Sequence, residues 1–111
     1  MTDRELIEAA AKVAEIPGKW DERDDGWFVP GGNEGWLWLS RWDPLNDDRD
    51  AFRLAVKLGL RVRVTDKVAV VDIYKDNGWN GTVQVDSNQD PLAAARLAIV
   101  QAAAELGKEM K

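Results

Sequence analysis

The segment of residues 36–60 constrains the fold of this chain more than any other. It begins with an apolar run at residues 36–39, continues into an acidic turn, and ends in an amphipathic helix. In a strand, the alternation places Trp36 and Trp38 on one face and Leu37 and Leu39 on the other, so that both faces are apolar. A strand of this kind is covered on both sides. We therefore expect an α+β fold, a three-layer α/β/α sandwich with a mainly antiparallel sheet of about four to five strands and about three helices.

Local signals predict where three helices begin and end. Thr2 and Glu5 have the spacing of a capping box, so the first helix is expected to begin there. Asp47 is a suitable N-cap for a second helix, and Asp90-Pro91 for a third. The expected stop signals are Pro17-Gly18, Gly59 and Gly107.

Apolar residues at helical spacing predict which sides of the later helices are buried. In the second helix, Phe52 and Val56 are expected to lie beside the buried stripe, which consists of Ala51, Leu54, Ala55 and Leu58. In the third helix the expected buried stripe consists of Leu92, Ala95, Ile99, Ala102 and Leu106.

The remaining segments predict strands and turns. Residues 60–64 alternate strictly and place Arg61 and Arg63 on an exposed face, and return strands are expected at 68–74 and 82–85. Residues 27–29 should form a short strand that pairs with the next strand across a glycine-rich turn. No linker or internal repeat divides the sequence, so residues 1–111 are expected to form a single domain.

The absence of two residue types excludes several kinds of chemistry. The chain has no Cys and no His, which removes thiolate nucleophiles, Cys-based zinc sites and the usual general base. The glycine-rich residues 31–35 lack the Lys and Ser or Thr of a phosphate-binding loop and precede a predicted strand instead of a helix. We therefore expect a protein that is not an enzyme and that has no cofactor and no metal site.

Acidic charge is concentrated in one part of the chain. The net charge is −5, and residues 20–50 carry nine acidic and three basic side chains. A negative surface argues against direct nucleic-acid binding and against binding to anionic membranes. The sequence begins without an apolar signal segment, and no apolar run approaches the length of a membrane span, so a cytoplasmic location is expected.

Four segments resemble the phage ABA sandwich domain family, whose members are small proteins of tailed phages and prophages. They are residues 2–10, Thr-Asp-Arg-Glu-Leu-Ile-Glu-Ala-Ala, residues 42–48, Trp-Asp-Pro-Leu-Asn-Asp-Asp, residues 50–60, Asp-Ala-Phe-Arg-Leu-Ala-Val-Lys-Leu-Gly-Leu, and residues 90–99, Asp-Pro-Leu-Ala-Ala-Ala-Arg-Leu-Ala-Ile. The resemblance implies a sheet sandwiched between helices and a phage protein acting in the cytoplasm of a bacterial host. It implies no catalytic residues.

Trp and acidic residues form the candidate partner-binding surface. The chain has six Trp, and Trp is among the commonest anchors of protein interfaces. Carboxylates beside aromatic rings would suit a basic protein surface. A solvated loop and helix capping are the competing interpretations of these acidic residues. The candidate residues are Trp20, Asp21, Glu22, Asp24, Asp25, Trp27, Trp42, Asp47, Asp48 and Trp79.

The leading functional hypothesis is a phage accessory protein that inhibits a bacterial defence system, for example an anti-CRISPR. Its expected partner is a host defence protein or complex with a basic surface. A second hypothesis is a small-ligand binder or sponge for a nucleotide signal, in which Arg61 and Arg63 bind an anion beside Tyr74 or Trp79. A third is a structural or regulatory phage protein that assembles with itself, for example as a homodimer.

Overall fold

We describe a computed structural model of the chain, which covers residues 2–30, 39–75, 78–88 and 90–109. Within these ranges the chain forms three α-helices and six β-strands. In chain order they are α1 (Asp3–Val13), β1 (Lys19–Asp21), β2 (Gly26–Pro30), β3 (Leu39–Trp42), α2 (Asp48–Leu58), β4 (Arg61–Val64), β5 (Val68–Lys75), β6 (Gly78–Asp86) and α3 (Pro91–Glu109).

The helices begin at the predicted residues. In α1, Glu5 N donates to Thr2 Oγ1 at 3.1 Å, while the Glu5 carboxylate accepts from Thr2 N at 3.2 Å. The hydrogen bonds from the backbone and hydroxyl of Thr2 lower the pKa of Glu5, because they favour its charged form. Asp47 caps α2, and Ala93 N donates to the Asp90 side chain at the start of α3. These predictions are confirmed.

The helix ends are only partly as predicted. Gly59 closes α2 in the left-handed conformation, with φ of 67°, as expected. The first helix ends at Val13, before Pro17, because Glu15 adopts a left-handed φ of 57° and Ile16 N donates to Ala11 O at 2.9 Å. Gly107 does not end α3, which continues to Glu109. A Cβ at Gly107 would lie 3.5 Å from the Ala9 carbonyl oxygen of α1, an ordinary van der Waals contact, so this helix contact does not require a glycine.

Strands β1, β2 and β3 form an antiparallel sheet, sheet A, in that spatial order. The pairing of β2 with β3 confirms the predicted pairing of these two strands, whereas β1 was not predicted, because its three residues are too few for a strand pattern. The strand predicted at residues 36–42 is present as β3 over its last four residues. The predictions for Trp36 and Trp38 and for the glycine-rich turn at 31–35 lie outside the described residues.

Strands β4, β5 and β6 form a second antiparallel sheet, sheet B. Its inner face carries Ala69, Val71 and Ile73 of β5, all buried, and α3 packs against all three strands. Arg61 and Arg63 lie on the opposite face and are exposed, as predicted. Strand β6 begins at Gly78 and includes Trp79, which the sequence had assigned to a turn.

Helix α3 lies at the centre of the fold. It packs against sheet B and also against α1 and α2, so its buried residues occupy more than one face. Small residues such as Ala94, Ala98 and Ala102 permit this close approach from several sides. The α+β class, with three helices and antiparallel strands, is confirmed. The strands divide into two three-stranded antiparallel sheets, sheet A and sheet B.

No helix in the described part of the chain is long and apolar enough to cross a membrane.

Candidate functional site

An apolar groove of about 400 Å³ lies between α2 and α3, with residues of β4 contributing to its wall. Three large apolar side chains line it and are exposed to solvent: Phe52 by 69%, Val56 by 64% and Leu92 by 59%. Leu92 was predicted to be buried. It lies in the first turn of α3, where the groove leaves it uncovered. Exposed apolar side chains gathered in one depression are typical of a protein or ligand contact surface.

The groove arises from the sizes of the side chains along α2 and α3. Phe52 and Val56 are four residues apart and therefore lie on the same side of α2. The groove is also lined by buried small residues, Ala51 and Ala55 of α2 and Ala95 of α3. Large side chains thus form the rim and alanines form the floor. The sequence placed Phe52 and Val56 beside the buried stripe but gave no signal that they remain uncovered.

The acidic turn before α2 lies at one end of this groove. The Asp47 carboxylate accepts from the amides of Arg49 at 2.8 Å and Asp50 at 3.2 Å. Asp48 lines the groove and pairs with Arg96 Nη1, while Arg96 Nε donates to Leu45 O at 2.8 Å. Both side chains remain exposed although each carboxylate has a hydrogen-bond partner; Asp48 lines the groove, and Asp47 is the residue before it.

A second group of predicted residues lies in the turn between β1 and β2. The Asp21 carboxylate accepts from the amides of Arg23 at 2.8 Å and Asp24 at 3.3 Å. Arg41 of β3 donates to the carbonyl oxygens of Asp24 at 3.3 Å and Asp25 at 3.0 Å. The backbone of this turn is therefore fixed from both sides, and the carboxylates of Asp24 and Asp25 are left exposed.

A polar cavity of about 160 Å³ connects this turn with the start of both α1 and α2. Its lining includes Asp3 and Arg4 of α1, Asp25 of the turn, and Asp43 and Leu45 before α2. The segment of residues 43–48 therefore lies between this cavity and the apolar groove. Hereafter we call Glu22, Asp24, Asp25, Asp47 and Asp48 the acidic edge.

The Trp residues near the amino terminus form a cross-strand row in sheet A. Trp20 pairs with Trp27, and Trp27 pairs with Trp42, so the three side chains share one face. Trp20 and Trp27 are half-buried against the core, and Trp42 is only 8% exposed. Trp27 Nε1 donates to Pro17 O at 3.0 Å, and the Arg4 guanidinium lies 5.4 Å from the Trp20 ring centroid.

This row changes the interpretation of the Trp excess. Trp42 belongs to the core, in contrast to its predicted place on a partner-binding surface. Trp20 is half-buried and lines the polar cavity together with Asp25 of the acidic edge. A three-stranded sheet has few residues with which to cover the helices, and large aromatic side chains supply that area.

Trp79, Arg61 and Arg63 lie on sheet B, whereas the acidic edge lies in the turn between β1 and β2 and at the start of α2. The predicted candidates therefore form two separate surfaces. One combines the acidic edge with the groove, and the other is the outward face of sheet B.

The described residues contain no group of three or more carboxylates that could hold a metal ion. The chain matches no protein-family model, and searches of curated proteins and of solved structures found no similar protein.

Proposed function

We propose that this chain is a non-enzymatic binding protein that docks on another protein through the apolar groove and the acidic edge. The partner would place apolar side chains in the groove, and Lys or Arg side chains around them would pair with the acidic edge. The observation that supports this proposal is the convergence of exposed Phe52, Val56 and Leu92 on one groove with Asp47 and Asp48 at its end.

The apolar groove alone supplies little net binding free energy. Complete burial of a large apolar side chain contributes about 1.5 to 3 kcal/mol, and the three rim residues are already partly covered, so the groove supplies roughly 4 kcal/mol. Association costs at least about 4 kcal/mol in lost rotational and translational freedom. The groove alone therefore gives weak binding, and complementary charges add specificity and faster association.

The groove suits a protein side chain better than a polar small molecule. Its charged lining residues are Asp48 and Arg96, and these two side chains already pair with each other. A small polar ligand needs several convergent polar groups that are free to orient it. Arg53 and Lys57 of α2 line a different cavity, on the opposite side of that helix, so neither of these cations is in the groove.

The biological setting that we propose is that of a phage accessory protein which inhibits a bacterial defence complex, for example an anti-CRISPR. This setting follows from the resemblance to the phage ABA sandwich domain family. An acidic protein could occupy a basic nucleic-acid site or a subunit-docking site on such a complex.

Affinity capture from bacterial lysate with matched variants tests the proposal. The groove variant carries Phe52→Ser and Val56→Ser, and the acidic-edge variant carries Glu22→Gln, Asp24→Asn and Asp25→Asn. The control variant carries Glu15→Gln, Asp66→Asn and Asp86→Asn, which make the same change of net charge at exposed positions elsewhere.

A partner recovered by the wild-type chain and by the control, but lost with the groove and acidic-edge variants, is the expected result. Equal recovery by all four baits would exclude this surface as the docking site. Light scattering at several concentrations should find a monomer. If the chain instead forms a dimer and Phe52→Ser abolishes it, the partner at the groove is a second copy of the chain and not a different protein.

A further inference from the structure

The outward face of sheet B carries an ordered group of aromatic and charged side chains that protein docking at the groove leaves unused. Helix α3 covers the inner face of this sheet. On the outer face, Arg61 of β4, Asp72 of β5 and Thr82 of β6 form one cross-strand row. Tyr74 and Trp79 pair across the neighbouring strands at the end of the same face. We call these five residues together with Arg63 the sheet B platform.

A buried carboxylate organises the platform. Asp72 is only 8% exposed although it lies on the open face. Its Oδ1 accepts from Thr82 Oγ1 at 2.8 Å, and its Oδ2 accepts from Arg63 Nη2 at 3.3 Å. A buried carboxylate is stable when its oxygens have such partners. Asp72 therefore fixes a hydroxyl on one side and a guanidinium on the other.

The same network fixes the exposed indole. Trp79 Nε1 donates to Thr82 Oγ1 at 3.0 Å, so Trp79, Thr82 and Asp72 form a continuous hydrogen-bonded chain. The Trp79 side chain is still 65% exposed. An indole that is held by its N–H while its ring remains accessible needs little further ordering when a flat ligand stacks on it.

Arg61 completes the platform. Its guanidinium carbon lies 5.6 Å from the centroid of the Tyr74 ring, within the range of a cation–π contact. Arg61 and Arg63 are two residues apart on β4 and therefore point from the same face. Two guanidinium groups on one face suit the planar, multidentate recognition of a phosphate.

We propose that the sheet B platform binds a nucleotide, whose base stacks on Trp79 and whose phosphate pairs with Arg61 and Arg63. The ligand needs both a flat π system and an anionic group, because the platform offers an accessible ring together with the Arg61 guanidinium and the donors of Arg63 other than Nη2, which is bonded to Asp72. A free nucleotide fits better than a long single strand, since the chain carries a net charge of −5 and a strand would require an extended positive groove.

Calorimetry and thermal unfolding of the whole chain with a panel of nucleotides test this site. The panel contains AMP, GMP, ATP and cyclic mono- and dinucleotides, with inorganic phosphate, adenosine and an oligothymidine strand as comparisons. One member of the panel should raise the unfolding temperature and bind with saturation, as any ligand of the native state does. Phosphate alone and adenosine alone should bind more weakly, because phosphate has no base to stack on Trp79 and adenosine has no phosphate to pair with Arg61 and Arg63.

Variants then separate the platform from general charge effects. Arg61→Gln and Trp79→Ala, made singly, should each weaken binding roughly tenfold or more, the effect of losing one charge-assisted contact or one stacked ring. Arg49→Gln, at an exposed position of α2, removes the same charge and should leave the affinity unchanged. Arg61 is preferred to Arg63 for this test because removal of Arg63 leaves Asp72 without one of its partners.

Several outcomes would overturn the proposal. One is no binding by any free nucleotide at millimolar concentration, and another is an equal loss of affinity with Arg49→Gln. Preferential binding of the oligothymidine strand would show that the platform recognises nucleotides within a strand and would exclude a free nucleotide as its ligand. None of these variants changes the groove or the acidic edge, so the result is independent of the function proposed above.

Discussion

Substitution of Phe52 by Ala tests whether this side chain belongs to an open contact surface or to the hydrophobic core. Phe52 is 69% exposed, whereas Leu54, two residues along the same helix, is 2% exposed. A phenylalanine that buries about a third of its surface covers roughly 60 Å², which is worth at most about 1.5 kcal/mol. Alanine recovers about 0.5 kcal/mol through its higher helix propensity. Phe52→Ala should therefore cost less than about 1 kcal/mol.

Leu54→Ala provides the internal comparison. It removes buried methyl groups from a closely packed site and should cost about 3 kcal/mol, within the range of about 2 to 5 kcal/mol for such changes. Urea unfolding followed by Trp fluorescence measures both variants, since neither substitution changes a Trp. A cost of 2 kcal/mol or more for Phe52→Ala, or a cost equal to that of Leu54→Ala, would refute the conclusion that the groove is an open surface.

Three further predictions concern the folded chain. Trp42→Ala should destabilise it by about 3 to 5 kcal/mol in urea unfolding followed by circular dichroism, whereas Trp79→Ala should change stability by less than about 1 kcal/mol; comparable costs would contradict the assignment of Trp42 to the core. Gly18→Ala should lower the unfolding temperature by several degrees, because Gly18 has φ of 113° and a Cβ there would lie 2.0 Å from a carbonyl oxygen of β2. An unchanged unfolding temperature would contradict that contact. The pKa of Glu5 is lowered by its hydrogen bonds with Thr2, so the stability that Glu5 contributes is present above the ordinary carboxyl pKa and is lost as the pH falls through the folded value. NMR titration should find that Thr2→Ala raises this pKa, and an unchanged value would mean that the hydroxyl has no part in the shift.

The sequence predicted the helix starts because their signals are local. Thr2, Asp47 and Asp90 each accept from an amide two or three residues later, so the interaction is visible in a short window. Gly59 likewise adopts a conformation that glycine favours at a helix end. The alternation of residues 60–64 correctly predicted that Arg61 and Arg63 are exposed.

Features that depend on how distant segments pack were not predictable. The row of Trp20, Trp27 and Trp42 requires the register of three strands, one of which has only three residues. The exposure of Leu92 depends on where α2 meets α3, since its position within the apolar stripe of α3 is typical of a buried residue. The sequence therefore identified the acidic edge but missed the groove beside it.

The layer order also depended on tertiary packing. Buried alanines on several sides of α3 allow the helix to take its central position. If only one side of a helix is expected to be buried, the alanines on its other sides are assigned to the surface. Ala is small enough to permit close packing in any direction, so its periodicity carries little information about which side is buried. Packing of sheet B, α1 and α2 around α3 resolves this ambiguity.

Site-directed photo-crosslinking in bacterial cells tests the central claim most directly. A photoreactive amino acid replaces Phe52 at the rim of the groove or, as the control, Lys57, which is exposed on the opposite side of the same helix. We predict a covalent adduct with another protein from position 52 and none from position 57, with the position-52 adduct lost when Glu22, Asp24 and Asp25 are changed to their amides. No adduct at position 52, or equal adducts at both positions, would contradict docking at the groove.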